Sequence, residues 1–159
     1  MLQFTVIAVG KLKEKYLIQA CQEYLKRLRP AVKVRVVELK DEPLPAIGSP
    51  DEAGAKEIEG KRILAALPQG AVKIALDPMG RELSSPEFAH LLNQYALAGR
   101  SSFAFIIGGG AGLAETVRRA SDEVLSFSRL TFPHQLFRVI LLEQLYRAVK
   151  IIRNEPYHR

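Results

Sequence analysis

The chain has 159 residues, 48% hydrophobic and 25% charged, with no low-complexity tract, so a single folded domain is expected and a disordered chain is excluded. Twenty-three Lys and Arg against 17 Asp and Glu leave a formal charge of +6, a field that draws polyanions such as RNA. Cys21 is the only cysteine, which excludes an intrachain disulfide or thiolate cluster and fits a reducing cytoplasm.

The opening run, Leu2 to Val9, is too short for a transmembrane span and has no basic leader, so no secretory signal is expected. Its residues from Gln3 onward predict a first strand that stops at Gly10. A helix follows from about Glu14 to Leu28, with Leu17, Cys21, Leu25 and Leu28 on one stripe. This stretch is also the most basic: Lys11, Lys13, Lys15, Lys26, Arg27, Arg29, Lys33 and Arg35 face only Glu14 and Glu23. Val32 to Leu39 predicts a second strand. Pro43, Pro45, Gly48 and Pro50 mark residues 41–50 as an irregular connection.

Asp51 to Leu67 has a helical pattern ended by Pro68 and Gly70. Val72 to Asp77 predicts a third strand, broken by Pro78 and Gly80. Ser85, with Pro86 and Glu87 behind it, predicts the cap of a helix reaching about Leu97. Ser102 to Ile107 is the most apolar strand and runs into Gly108-Gly109-Gly110-Ala111-Gly112, followed by a short helix over about Ala114 to Ala120. Val124 to Phe132 reads as extended or looping. Pro133 opens a final helix to about Ile152, whose apolar set is too wide for one solvated face. A homodimer interface or a central position in the monomer accounts for it equally. Alternating strands and helices of this kind predict an α/β fold with a largely parallel sheet.

The glycine cluster is either a tight strand-to-helix turn or a loop that lets a ligand approach the backbone. It is not a dinucleotide fingerprint, because Leu113 stands where the third glycine would be, and no Walker loop is present. His90, His134 and His158 have no ligand-pair spacing, so no metal site is expected. Ser101 and Ser102 precede a strand and lack a nucleophile elbow. The ending, Arg153-Asn154-Glu155-Pro156-Tyr157-His158-Arg159, is either a solvated tail or an arm that folds over a base while arginine meets phosphate.

Five segments together resemble one family. They are Ile74 to Asp77 with Gly80, Phe105 to Gly109 with Gly112-Leu113, Leu125 to His134, Leu142 to Ala148, and Asn154 to Arg159. Their order and content are similar to the small SPOUT methyltransferases that modify N3 of pseudouridine in bacterial 23S ribosomal RNA, over nearly the whole chain. The resemblance implies an α/β fold with a deep trefoil knot in its C-terminal part, a homodimer built on the last helix, and S-adenosylmethionine as cofactor. It implies a cofactor pocket of Leu76, Gly108 and the loop Phe127, Ser128, Arg129, Leu130, Thr131 and Phe132. Gly110 stands where some relatives carry proline.

For the reaction so implied, the expected actors are in the tail: Tyr157 holding the base, His158 as proton acceptor or orienting group, and Arg159 facing the developing anion. His134 is the second candidate base. The basic first helix and its flanks are the expected RNA surface, and a chain this small is expected to need the large subunit or assembled ribosome as substrate. A SPOUT enzyme acting on a ribose or a tRNA base, and a non-catalytic RNA-binding module, are the alternatives.

Overall fold

Strand-forming runs with apolar residues on both faces build a buried sheet here. The computed structural model describes residues 1–43 and 46–159. The reading of 41–50 as an irregular connection rests partly on Pro45, which lies outside the described residues, as does Leu44. In chain order the elements are β1 (Gln3–Val9), α1 (Lys15–Leu28), β2 (Lys33–Leu39), α2 (Pro50–Ala66), β3 (Val72–Glu82), α3 (Ser85–Leu97), β4 (Ser102–Ile107), α4 (Glu115–Ala120), β5 (Glu123–Ser126) and α5 (His134–Ile152). The strands form one sheet of order β2-β1-β4-β3-β5, with every pairing parallel.

Successive side chains of β1 and β4 point to opposite faces, and both faces are apolar. Phe4, Val6, Phe103 and Phe105 join Cys21 and Leu28 of α1, Phe88 and Leu92 of α3, and Leu141, Leu142 and Leu145 of α5. On the opposite face Ile7, Val9, Ala104 and Ile106 meet Ile63 of α2 and Val117 of α4. Within the first layer Phe4 packs edge-on to Phe105 with centroids 5.4 Å apart, while Phe103 and Phe105 stack with centroids 6.1 Å apart.

Two boundaries differ from the sequence reading. β3 does not end at Asp77: it pairs with β4 through Leu76, shifts register, and meets β5 again at Arg81 and Glu82. Gly80 permits this return, because a Cβ there would stand 2.6 Å from the carbonyl oxygen of Val124. The cap of α3 is Ser84, one residue before the expected Ser85. Ser84 Oγ accepts from the N–H of Glu87 at 3.2 Å, and the Glu87 carboxylate accepts from the N–H of Ser84 at 2.9 Å. This reciprocal box satisfies two of the helix's free donors.

Candidate active site

The C-terminal ends of parallel strands leave backbone groups and loops free to surround a ligand, most openly where the strand order reverses. Here β4 lies between β1 and β3; β3 turns out of register after Leu76, and β4 runs into the glycine turn. These turns and the start of α5 enclose a cavity of about 520 Å³. Leu76, Asp77 and Pro78 form the β3 wall, Ile107 to Gly110 with Gly112 and Leu113 the β4 wall. The third wall runs from Phe127 to His134, and Phe137 closes it from the first turns of α5.

The glycine turn is shaped by contact with the protein itself. At Gly108 a Cβ would lie 2.9 Å from the main-chain carbon of Gly112, and at Gly109 it would lie 3.0 Å from Glu59 Oε1. Gly112 has φ +88°, a conformation that side chains rarely adopt. Glu59 is a buried carboxyl behind this turn; burial, and then Asp41 and Glu42, push its pKa up, against a hydrogen bond from the N–H of Glu42 at 2.9 Å. The two strand walls are tied together by Arg118. Its Nη1 donates to the Leu113 carbonyl at 2.7 Å and to Asp77 Oδ2 at 3.2 Å.

The β5–α5 loop is set by serines and phenylalanines. Ser126 Oγ donates to the Ser128 carbonyl at 2.9 Å, and Ser128 Oγ accepts from the N–H of Leu130 at 3.0 Å. Phe127 stands edge-on to Phe88 and tilted against Phe137, both with centroids 5.4 Å apart. Leu130 remains 72% exposed, an apolar side chain at the cavity mouth.

Of the eight residues expected around a cofactor, Leu76, Gly108, Phe127, Ser128, Leu130, Thr131 and Phe132 line this cavity. Arg129 does not. Its side chain is 87% exposed and lies 3.5 Å from Glu82, because a charged group between two inward-facing neighbours keeps its hydration by turning out. Residues outside the expected set complete the walls: Asp77, Pro78, Leu113 and Phe137. Phe137 was accessible to pattern reasoning, since it lies one helical turn after Pro133; the Arg118 tie was not, since it depends on how two turns meet in space.

His134 also lines the cavity. Its Nε2 and the Asp41 carboxylate both lie 3.8 Å from the point a Gly10 Cβ would occupy. Burial, then the Arg138 charge, push its pKa down against Asp41, so the imidazole is neutral at neutral pH. Arg138 itself is buried, paired with Glu38 and donating to the Gly10 carbonyl at 3.2 Å, which fixes the start of α5 to the ends of β1 and β2.

The tail lies elsewhere on the chain. Tyr157 O–H donates to Glu143 Oε2 at 2.8 Å, its ring meets Tyr146 at 4.7 Å, and Arg147 lies over it at 4.8 Å. Burial, and then the Glu143 bond, push the Tyr157 phenol up, so it stays a donor. His158 contacts Arg147, and Arg159 is exposed at the end. His134 and Arg147 are thirteen residues apart on α5, about 20 Å by the rise of a helix. Tyr157, His158 and Arg159 are therefore not brought to the cavity of their own chain. Among the described residues, no group of three or more His, Cys, Asp and Glu could hold a metal ion, and no helix is long and apolar enough to cross a membrane.

Comparison with known proteins bears on this site. A family model described as "Predicted SPOUT methyltransferase" matches residues 2–158. The chain is 51% identical over 159 residues to the "Ribosomal RNA large subunit methyltransferase H" of Carboxydothermus hydrogenoformans, covering 99% of this chain and 100% of the relative. It is 54% identical over 161 residues to the protein of the same name from Pelotomaculum thermopropionicum, covering 99% of each. The protein of that name from Moorella thermoacetica is 51% identical over 162 residues, covering 100% of both chains.

Proposed function

The chain belongs to the SPOUT methyltransferase family, and from that premise we propose that it methylates N3 of a pseudouridine in 23S ribosomal RNA with S-adenosylmethionine as methyl donor. The observation that carries this reading is the cavity between the register break of β3 and the end of β4. Its volume of about 520 Å³ falls in the range of pockets that bury a nucleoside-sized ligand. Its walls suit the cofactor: Leu76, Leu130 and Phe132 offer flat apolar contact for an adenine, and the exposed main chain of the glycine turn and the 127–132 loop can pair with its edge. Arg118 holds the two strand walls at a fixed separation, and neutral His134 adds no positive charge that would repel a sulfonium.

Bound there, S-adenosylmethionine supplies a methyl carbon on a sulfonium whose sulfur leaves as a neutral thioether, so no acid is required. The work left to the protein is to bring the nitrogen close and to favour its deprotonated form. Tyr157, His158 and Arg159 are suited to that work, as an aromatic donor, an imidazole and a cation on one short arm. Because the arm of each chain rests far along α5 from that chain's cavity, the tail that completes a site comes from a second copy. A homodimer follows from this reading, and the half-buried Val139, Ile140 and Ile152 of α5 provide apolar surface for it. The family's trefoil knot and a single-domain organisation belong to the same reading.

The RNA surface is assigned to Lys11, Lys13, Lys15, Lys26, Arg27 and Arg29, on and beside α1. The large subunit or assembled ribosome, in the cytoplasm, is the substrate, since the chain has little room for a separate recognition domain. Two measurements test the proposal together: calorimetric titration with S-adenosylmethionine, and transfer of its labelled methyl group to large subunits, ribosomes and naked 23S RNA lacking the modification. One cofactor per cavity and label in ribosomal RNA are expected. Cofactor binding with no label in ribosomal RNA would move the target, and no cofactor binding would reduce the chain to an RNA-binding module.

A further inference from the structure

The tail's imidazole meets a group that can only donate. Arg147 Nη1 lies 3.1 Å from His158 Nδ1. A guanidinium carries five N–H donors, has no acceptor, and stays protonated in proteins. The bond therefore runs from Arg147 to His158, and Nδ1 is its acceptor. A neutral imidazole that accepts at Nδ1 carries its proton on Nε2. The donor is held in place: Arg147 Nη2 donates to Glu143 Oε2 at 2.7 Å, and the guanidinium lies 4.8 Å from the centre of the Tyr157 ring. Glu143 in turn accepts from Tyr157 O–H and from Gln144 Nε2, both at 2.8 Å.

We propose that Arg147 is a positioning residue that fixes His158 as its Nε2–H tautomer, so that the tail offers the pyrimidine a hydrogen-bond donor and not a proton acceptor. The mechanistic half rests on the reading above, in which the tail acts on an imide nitrogen. With Nδ1 taken up by Arg147, the free edge of the ring is N–H. An imide that has lost its N3 proton carries negative charge on the two flanking carbonyl oxygens. A fixed N–H beside one of them, together with the Arg159 cation, lowers the energy of that anion; a second lone pair would raise it. The N3 proton passes to water, and N3 keeps the electron pair that binds the methyl carbon, so no side chain has to receive the proton.

The pH behaviour distinguishes this from base catalysis. Around the docked tail the charged and titratable groups are Glu143, Tyr146, Arg147 and Lys150 of α5, Tyr24 and Arg27 of α1, and Arg153, Glu155, Tyr157 and Arg159 of the tail itself. Above the imidazole range a histidine base would give a rate independent of pH. A donor that stabilises an imide anion leaves the rate rising about tenfold per pH unit until the imide itself ionises.

The deciding measurement is long-range 1H–15N correlation on the labelled full-length protein. It should show His158 with Nδ1 unprotonated and Nε2 protonated, a pattern kept in Arg147→Lys, which also only donates, and averaged between tautomers in Arg147→Ala. A predominant Nδ1–H form, or an Arg147→Ala spectrum identical to the parent, would overturn the proposal whatever the enzyme's activity. Kinetically, His158→Gln keeps an amide donor and should stay within about tenfold of the parent kcat, while His158→Ala loses on the order of 100-fold. A His158→Gln enzyme as slow as His158→Ala, with a parent rate flat above the imidazole range, would restore His158 as the base. A parent protein that transfers no methyl group would end the functional reading and leave the spectrum to decide the role of Arg147.

Discussion

Gly54 and Gly108 are under opposite pressures. Gly54 sits in α2 with nothing within 4 Å of where a Cβ would be, so it brings only the entropic cost of a flexible backbone in a helix. Gly54→Ala is expected to stabilise the protein by about 0.5–1 kcal/mol, raising Tm by about 2 °C in calorimetry. At Gly108 the neighbour is main chain, 2.9 Å from the added carbon, and the turn must move. Gly108→Ala should leave the circular dichroism unchanged and weaken S-adenosylmethionine binding by about tenfold or more, because the shift displaces one whole cavity wall. Equal affinity in that variant would show that the turn does not touch the cofactor. Glu59 gives a pH prediction at the same scale. Its folded pKa is raised, so the folded state holds the proton more tightly than the unfolded chain. Its stabilising effect is then complete below the ordinary carboxyl pKa and is lost as pH rises through the higher folded value. Urea midpoints between about pH 4 and pH 7 should fall more steeply with pH for the parent than for Glu59→Gln.

At the scale of elements, the cap of α3 is the most direct test of local reading. Ser84→Ala removes one half of the capping box and should cost about 1 kcal/mol in urea denaturation, while Ser85→Ala breaks a contact with Gln144 and leaves the cap in place. Most elements were legible in order and type because Gly10, Pro78 with Gly80, and Gly108 punctuate the runs of β1, β3 and β4, and α1 and α5 carry clear apolar patterns. The misplaced cap came from two consecutive serines ahead of Pro86; the spacing of Ser84 to Glu87 was the signal that distinguishes them. The early end given to β3 has a different cause. Pro78 and Gly80 stop a strand by local rules, but β5 supplies a partner beyond the irregularity, and no local rule contains a partner. The breadth of the α5 stripe is explained partly within the chain: Leu141, Leu142, Leu145, Ala148 and Val149 fill the core between α1 and α3. The cavity loop could be placed only through the resemblance, since its composition of serine, leucine and phenylalanine carries no chemical signature. Even so, that placement could not tell that the Arg129 side chain turns outward.

For the whole molecule, the relevant quantities are charge and the distance between cavity and tail. A net charge of +6 with its basic residues concentrated in the first 35 positions makes RNA binding strongly dependent on salt. If about six of these residues meet phosphates, affinity for large-subunit RNA should fall by about 10³-fold between about 50 and 200 mM salt in filter binding. An affinity insensitive to salt would assign recognition to another surface. The separation of tail and cavity along α5 makes a further statement at this scale. On the proposed pairing of two copies, mixing a cavity-defective variant with His158→Ala should restore transfer, because one kind of mixed dimer then holds an intact cavity facing an intact tail; mixtures as inactive as either variant alone would contradict that pairing.

The central claim is that the methyl group arrives at N3 of a pseudouridine. N3 lies on the base-pairing edge, so a methyl group there blocks reverse transcription, whereas a methyl group on the ribose leaves that edge free. Ribosomes lacking the modification should be incubated with the protein and S-adenosylmethionine, and their 23S RNA mapped by primer extension and by mass spectrometry of the isolated nucleoside. A single new stop at a pseudouridine, with one added methyl on the base, is the predicted result. A methyl group found on a ribose, or on any nucleotide other than a pseudouridine, would contradict the account.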